Sequence, residues 1–364
     1  TSTAGKRIGI ATLNSEKTLN SLTFDMVDLL STKLHQWKND SAIACVFIHG
    51  AGSKALCAGG DVQQLYQSAI SQPGGPCEDA EAFFQLEYRM NYLLHSYPKP
   101  VICWGHGVVM GGGLGILAGC SHRVVTEKTR MAMPEVTIAL FPDVGGSWFL
   151  NRMPGRVGLF LALTAASMNG PDCIFTGIAD RFISSSQQQT VLDELCALQW
   201  QGQNERHGEQ ITQLLRKFEN SSASAKPHSN VAQHYDMIQS LTDQDNFYQI
   251  VDAITSLDTD DQWLDRAAKG LAHGSPISAS NIYQALQMTL HMSLAEVLQF
   301  ELMLATNIVR HPEFAEGVRA LLIDKDKSPR WQYASVRDVP RKLLLDMVTP
   351  PWLENPLSDI KQGI

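Results

Sequence analysis

Between Val101 and Gly119 the chain runs nineteen residues without Asp, Glu, Lys or Arg, and seven of them are glycine: Gly105, Gly107, Gly111, Gly112, Gly113, Gly115 and Gly119. An uncharged run of that length is long enough to cross a bilayer as one helix. Glycine at that density opposes a continuous helix, because each one loses more backbone freedom on folding than any other residue. The segment therefore reads as a buried strand, Val101 to Trp104, turning through the glycines into a short apolar helix that ends near Gly119. A strand buried on both faces belongs to a parallel sheet covered by helices.

The flanking sequence repeats that unit. Arg7 to Leu13, Ala44 to His49, His122 to Val125 and Arg130 to Met133 are strand-like, while Thr23 to Trp37, Ala82 to Leu94 and Val157 to Leu163 have helical spacing. Alternation of this kind predicts an α/β fold with right-handed crossovers. Ser184 to Gln189 and Asn220 to Pro227 are polar stretches of the kind that separate subdomains, and beyond them the pattern is almost wholly helical. Thr259 is the expected cap of a helix closing at Gly274, and Ser293 to Glu296 is a capping box. The organisation expected is a core over residues 1–200, a helical region over 201–340 and a tail over 341–364.

With 29 Lys+Arg against 37 Asp+Glu, the net charge of −8 argues against nucleic-acid binding. The seven cysteines have neither C-x-x-C spacing nor a neighbouring histidine at zinc-ligand distance, so they read as free thiols in a reducing compartment. No leader precedes Arg7, which places a bacterial protein in the cytoplasm; the mitochondrial matrix is the alternative if a leader has been removed.

Two glycine turns leave the ends of predicted strands: Cys57-Ala58-Gly59-Gly60-Asp61 after the Ala44 strand, and Met110 to Leu114 after the Val101 strand. A parallel sheet sets such loops on one edge, where backbone N–H groups can converge on a ligand oxygen. Either turn alone is better explained as a tight bend packing helix on sheet, but the pair together favours the oxyanion reading. Glu135 follows Pro134 and Asp143 follows Pro142 in a stretch almost free of other charge, where a carboxylate is costly unless used or paired. Burial would raise the pKa of either and suit it to acid or base work. For Asp143, capping of the helix through Trp148 is an equal alternative. Asp61 is read as a helix cap, His49 and His106 as structural, and Phe83, Phe84 and Tyr88 as a core stripe in which Glu87 is unexpected.

The series CAGGD, HGVVMGGGLG and MPEVTIALFPDVGG, in that order, resembles the crotonase (enoyl-CoA hydratase/isomerase) superfamily. FPDVGG and the late EGVRALLIDKDKSPRW, Glu316 to Trp331, resemble its 3-hydroxyisobutyryl-CoA hydrolase branch. The resemblance implies a spiral of ββα units with a mainly helical C-terminal region, a bound acyl-CoA and an oxyanion hole from the N–H groups of Ala58 and Gly112. It also implies Glu135 and Asp143 as catalytic pair and Glu87 in contact with substrate. Where hydratases carry the first of two glutamates, this chain has Gly115, and Asp143 stands where they have glycine. The pattern fits thioester hydrolysis without metal or redox cofactor. It allows a homo-oligomer and implies neither a nucleic-acid nor a membrane partner. The rivals are a hydratase or isomerase on the same fold, a dinucleotide enzyme using Gly105-His106-Gly107, and a helical interaction protein with an inert acyl-CoA pocket.

Overall fold

Residues 6–200 and 204–361 are described by a computed structural model. Five parallel strands, β1 (Arg7–Leu13), β2 (Ile43–Gly50), β4 (Val101–Gly105), β6 (His122–Val125) and β8 (Arg181–Phe182), form one sheet in the order β1-β2-β4-β6-β8. Three short strands, β3 (Ala55–Cys57), β5 (Val108–Met110) and β7 (Arg130–Ala132), form a second sheet in the order β3-β5-β7. The parallel α/β arrangement expected from the alternation is present, and no strand follows β8 among the described residues. Val101 to Gly119 is a strand, a turn, a second strand and the helix Gly112–Gly119. Among the described residues no helix is long and apolar enough to cross a membrane.

The chain divides into two interleaved units, one of residues 1–60, 90–131 and 168–233, the other of residues 61–89, 132–167 and 234–364. Neither of the expected boundaries, 200 and 340, is a break between these units. The helix Asn204–Ser221 belongs with the first unit because Ile211, Leu214, Leu215 and Phe218 bury against Phe47, Trp104 and Val124 of the five-stranded sheet. Each such side chain contributes about 1.5–3 kcal/mol when fully buried, so this face outweighs the polar sequence on either side of it. Ser184 to Gln189 is no linker either: a 3-10 turn passes into the helix Gln188–Ala197, and Ser185 donates its backbone N–H to Glu127 at 2.8 Å.

In the second unit the expected tail is docked. Asn307 Nδ2 donates to the C=O groups of Met347 and Thr349, Gln299 Nε2 donates to those of Leu357 and Ile360, and Leu357 is fully buried. The helix Gln262–His273 closes at Gly274 as expected, but its cap is Asp261, which accepts from the N–H groups of Trp263 and Leu264. A carboxylate at that position satisfies two unpaired donors and meets the positive end of the helix dipole. The Ser293 capping box is formed.

Candidate active site

In the first unit both glycine turns leave carboxyl ends of neighbouring parallel strands, as expected, but the strands are β3 and β5 rather than the longer β2 and β4. Gly59 and Gly111 have positive φ, 110° and 47°, which an L side chain rarely adopts. A Cβ on Gly59 would lie 3.9 Å from the Gly112 nitrogen, so the two turns meet. Gly112 opens its helix, and its N–H, one of the orphan donors of a helix start, has no acceptor among the described residues.

Ala58 does not fill the role expected of it. Its N–H already donates to the Leu19 C=O at 3.0 Å, and an amide has one hydrogen. The Gly59 N–H points at the Cys57 sulfur, 3.4 Å away. The N–H of Gly60, two residues on, has no acceptor among the described residues. The motif located the turn, but the fold of the loop decided which amide is left over.

The second unit gathers four buried carboxyl groups: Glu87, Glu135, Asp143 and Glu301, none more than 5% exposed. Pro134 caps a short 3-10 turn, Glu135–Ile138, that presents Glu135, and one oxygen of that carboxyl has no hydrogen-bond partner. Asp143 accepts a 2.6 Å hydrogen bond from the buried Tyr88 hydroxyl. The helix Gly146–Leu150 is capped by Gly145 with no side-chain bond, so the capping alternative for Asp143 is not realised. Val144 has φ 54° and Gly145 φ 87°. A β-branched residue in that region is strained and persists only where its surroundings hold it. Here Glu301, on the helix Leu294–Val309, accepts from the N–H groups of Gly145 and Ser147 at 2.7 and 2.8 Å.

Burial, the largest cause, drives all four acids above their ordinary range, and mutual repulsion adds to it at Glu87, Glu135 and Glu301. Asp143 is pushed up only to about 6, because the Tyr88 hydroxyl favours its charged form. Glu301 is pushed up to about 8. Glu135 rises well above the usual carboxylate range through burial and the neighbouring Asp143. Raised pKa values are what acid and base work by carboxyl groups near neutral pH requires.

A family model described as Enoyl-CoA hydratase/isomerase matches residues 8–348. The chain belongs to the enoyl-CoA hydratase/isomerase family. Its similar relatives include proteins named "3-hydroxyisobutyryl-CoA hydrolase, mitochondrial" from Danio rerio, 35% identical over 92% of this chain and 85% of the relative, and from Homo sapiens, 35% identical over 91% and 83%. Among solved structures, a carnitinyl-CoA dehydratase from Mycobacterium thermoresistibile superposes with a TM-score of 0.79 at 32% identity, covering 94% of each chain. An enoyl-CoA hydratase from Rhodobacter sphaeroides 2.4.1 gives 0.80 at 29% identity over 96% of each.

Of the residues expected to matter in this enoyl-CoA hydratase/isomerase family member, Glu87, Glu135 and Asp143 lie in one unit, and Gly112 beside the first glycine turn in the other. His106 and His49 are structural as read: His106 has the C=O groups of Trp104 and Gly52 at its two nitrogens, one of which a neutral ring donates to, and His49 bonds Thr12 and the Gly50 C=O. Sequence reasoning missed Tyr88, assigned to the core stripe, and Glu301. The only signal for Glu301 was an acid inside the apolar run LAEVLQFELMLATNIV, whose neighbours Phe300, Leu302 and Leu304 are all buried.

Proposed function

We propose that this chain hydrolyses the thioester of 3-hydroxyisobutyryl-CoA, or a similar short 3-hydroxyacyl-CoA, to the free hydroxy acid and CoA, a step of valine breakdown. The observation that carries the reading is a second buried carboxyl, Asp143, beside Glu135, combined with Gly115 in the glycine-opened helix where hydratases have an acid. The relatives named as this hydrolase support it. Their names also support a mitochondrial compartment.

In the proposed reaction the thioester oxygen accepts from the N–H groups of Gly112 and Gly60. Glu135 takes a proton from water as the oxygen attacks the carbonyl carbon, and the two amides stabilise the tetrahedral oxyanion. On collapse the C–S bond breaks and the proton held by Glu135 passes to the departing sulfur, giving CoA-SH and the carboxylic acid. Direct attack by Glu135 to form a mixed anhydride gives the same products. A single turnover in water enriched in ¹⁸O bears on the routes: direct attack by water puts one ¹⁸O into the acid, whereas an anhydride opened at the Glu135 carbonyl gives an acid with none and leaves the label in Glu135. Asp143, ionised, accepts the hydrogen of the substrate 3-hydroxyl, and Glu87 contacts the acyl group. The residues named require no metal or redox cofactor for these steps.

The test is thiol release from a panel of acyl-CoAs with and without the 3-hydroxyl. Preference for the hydroxylated members is expected, and Asp143→Asn should lower turnover and narrow that preference. Unchanged rate and selectivity would return Asp143 to a structural role. A second reading, hydration on the same fold, rests on the likeness to the two solved structures and predicts loss or gain of the conjugated enoyl absorbance without thiol release.

The pH profile follows from the Tyr88 contact. Rate should rise with pH as the carboxyls ionise, with an acid limb near or above 6. Tyr88→Phe removes a bond that favours the charged form of Asp143, so the limb should move upward by about one pH unit, equivalent to about 1.4 kcal/mol. A limb that stays in place would show that Asp143 does not govern the ionisation controlling rate.

A further inference from the structure

Within the first unit, a cavity of about 770 Å³ is lined by Lys6, Ile43, Lys99 and His122 at the starts of β1, β2, β4 and β6, by Lys38 from the end of the helix Phe24–Asn39 and by His207 from the helix Asn204–Ser221. That is the amino edge of the five-stranded sheet. None of the residues lining it belongs to the glycine turns or to the carboxyl cluster of the proposed thioester chemistry.

Its positive charge is only partly offset. Lys6 donates to the Ser41 C=O at 2.7 Å, and Lys99, only 7% exposed, donates to the C=O groups of Trp37 and Asp40. Carbonyl acceptors hold an ammonium in place without cancelling its charge. The nearby acid, Asp40, favours the charged form of Lys99, but its two carboxylate oxygens are taken by Arg7, at 2.8 Å, and by the Ala42 N–H. Lys38 is exposed and has no ion pair among the described residues. In a chain of net charge −8, such a gathering of cations is a local feature.

His207 points independently to a ligand. It is 2% exposed, and neither ring nitrogen meets hydrogen-bond geometry with a described residue, although the Ala44 backbone lies close enough to favour its charged form. Buried imidazole nitrogens are rarely left so. Lys6 and Lys99 both disfavour its protonation, which sets all three groups within electrostatic reach of one another. An anion oxygen would supply the missing partner and relieve that repulsion together.

We propose that the amino edge of this sheet is a binding site for a small phosphate-bearing anion, held by the ammonium groups of Lys6, Lys38 and Lys99 and by the His207 imidazole. The cavity volume lies in the range of small-molecule sites and exceeds the need of bare phosphate, so the ligand class is a phosphorylated small molecule. The inference stands apart from the proposed hydrolase reading.

The test is calorimetric titration of the full chain with pyrophosphate at ionic strength fixed with KCl. Saturable one-site binding is expected, unaffected by saturating CoA. Lys6→Ala with Lys38→Ala should weaken it at least tenfold and leave the melting curve in the absence of pyrophosphate unchanged, and Lys38→Ala alone, at an exposed position, covers the case in which the double variant folds poorly. Absence of saturable heat, equal affinity in the variants, or displacement by CoA would each overturn the proposal. As a second readout, the His207 ring resonances should move on titration in the parent.

Discussion

Glu135→Gln is expected to lower thiol release by at least about a hundredfold, the usual consequence of removing a general base, while acyl-CoA binding persists. The amide is nearly isosteric, so the 3-10 turn behind Pro134 has no reason to change. It also removes an acid that burial and Asp143 hold well above its ordinary pKa. For such a group the folded state binds its proton more tightly than the unfolded chain. Its contribution to stability is therefore greatest below the unfolded pKa and fades as pH rises through the higher folded value. The variant should accordingly be less sensitive than the parent to alkaline destabilisation while losing catalysis. Parental turnover per folded molecule would remove Glu135 from the mechanism, whatever the melting curves gave.

Gly112→Ala and Gly113→Ala, one residue apart, should fail in different ways. Gly112 has no positive φ, so a methyl there meets no backbone strain from the left-handed region. If its N–H stabilises the oxyanion, displacing the thioester from it should cost roughly 3 kcal/mol of transition-state stabilisation, more than about a hundredfold in rate, with little change in melting temperature. At Gly113 a Cβ would fall 2.5 Å from the Cys57 C=O and 2.8 Å from the Cys57 Cβ, both in the neighbouring strand. Overpacking of this kind costs about 1–3 kcal/mol of stability. The measurement for both is turnover per folded molecule beside a melting curve. Near-normal turnover in Gly112→Ala with a lowered melting temperature would mean the turn is structural and the oxyanion role is wrong.

The carboxylates of the cluster were legible in unequal degree. Glu135 and Asp143 stood out because each follows a proline in a stretch nearly empty of charge, and Glu87 because it interrupts an aromatic stripe. Tyr88 in that same stripe looked like core, which by burial it is; its hydroxyl function depends on a partner 55 positions away, at Asp143. Glu301 is still farther from the loop it holds, 156 positions from Gly145. No local pattern carries such a pairing, since the spacing between partners is set by how helices pack and not by helical or strand period.

What the sequence determined by itself was whatever rests on short-range physics. Period-two and helical spacing gave β1 and β6 at their observed limits, Asp61 and Ser293 were read correctly as caps, and the glycine density forced the strand, turn and helix from Val101 to Gly119. Tertiary structure alone decided the two interleaved units, since Asn204–Ser221 joins the sheet through apolar burial that composition cannot locate. It also decided which amide of CAGGD is free: Leu19, far back in the chain, takes the hydrogen of Ala58 and leaves that of Gly60. A hydrogen bond needs both partners in place, and only the folded chain brings the second one there.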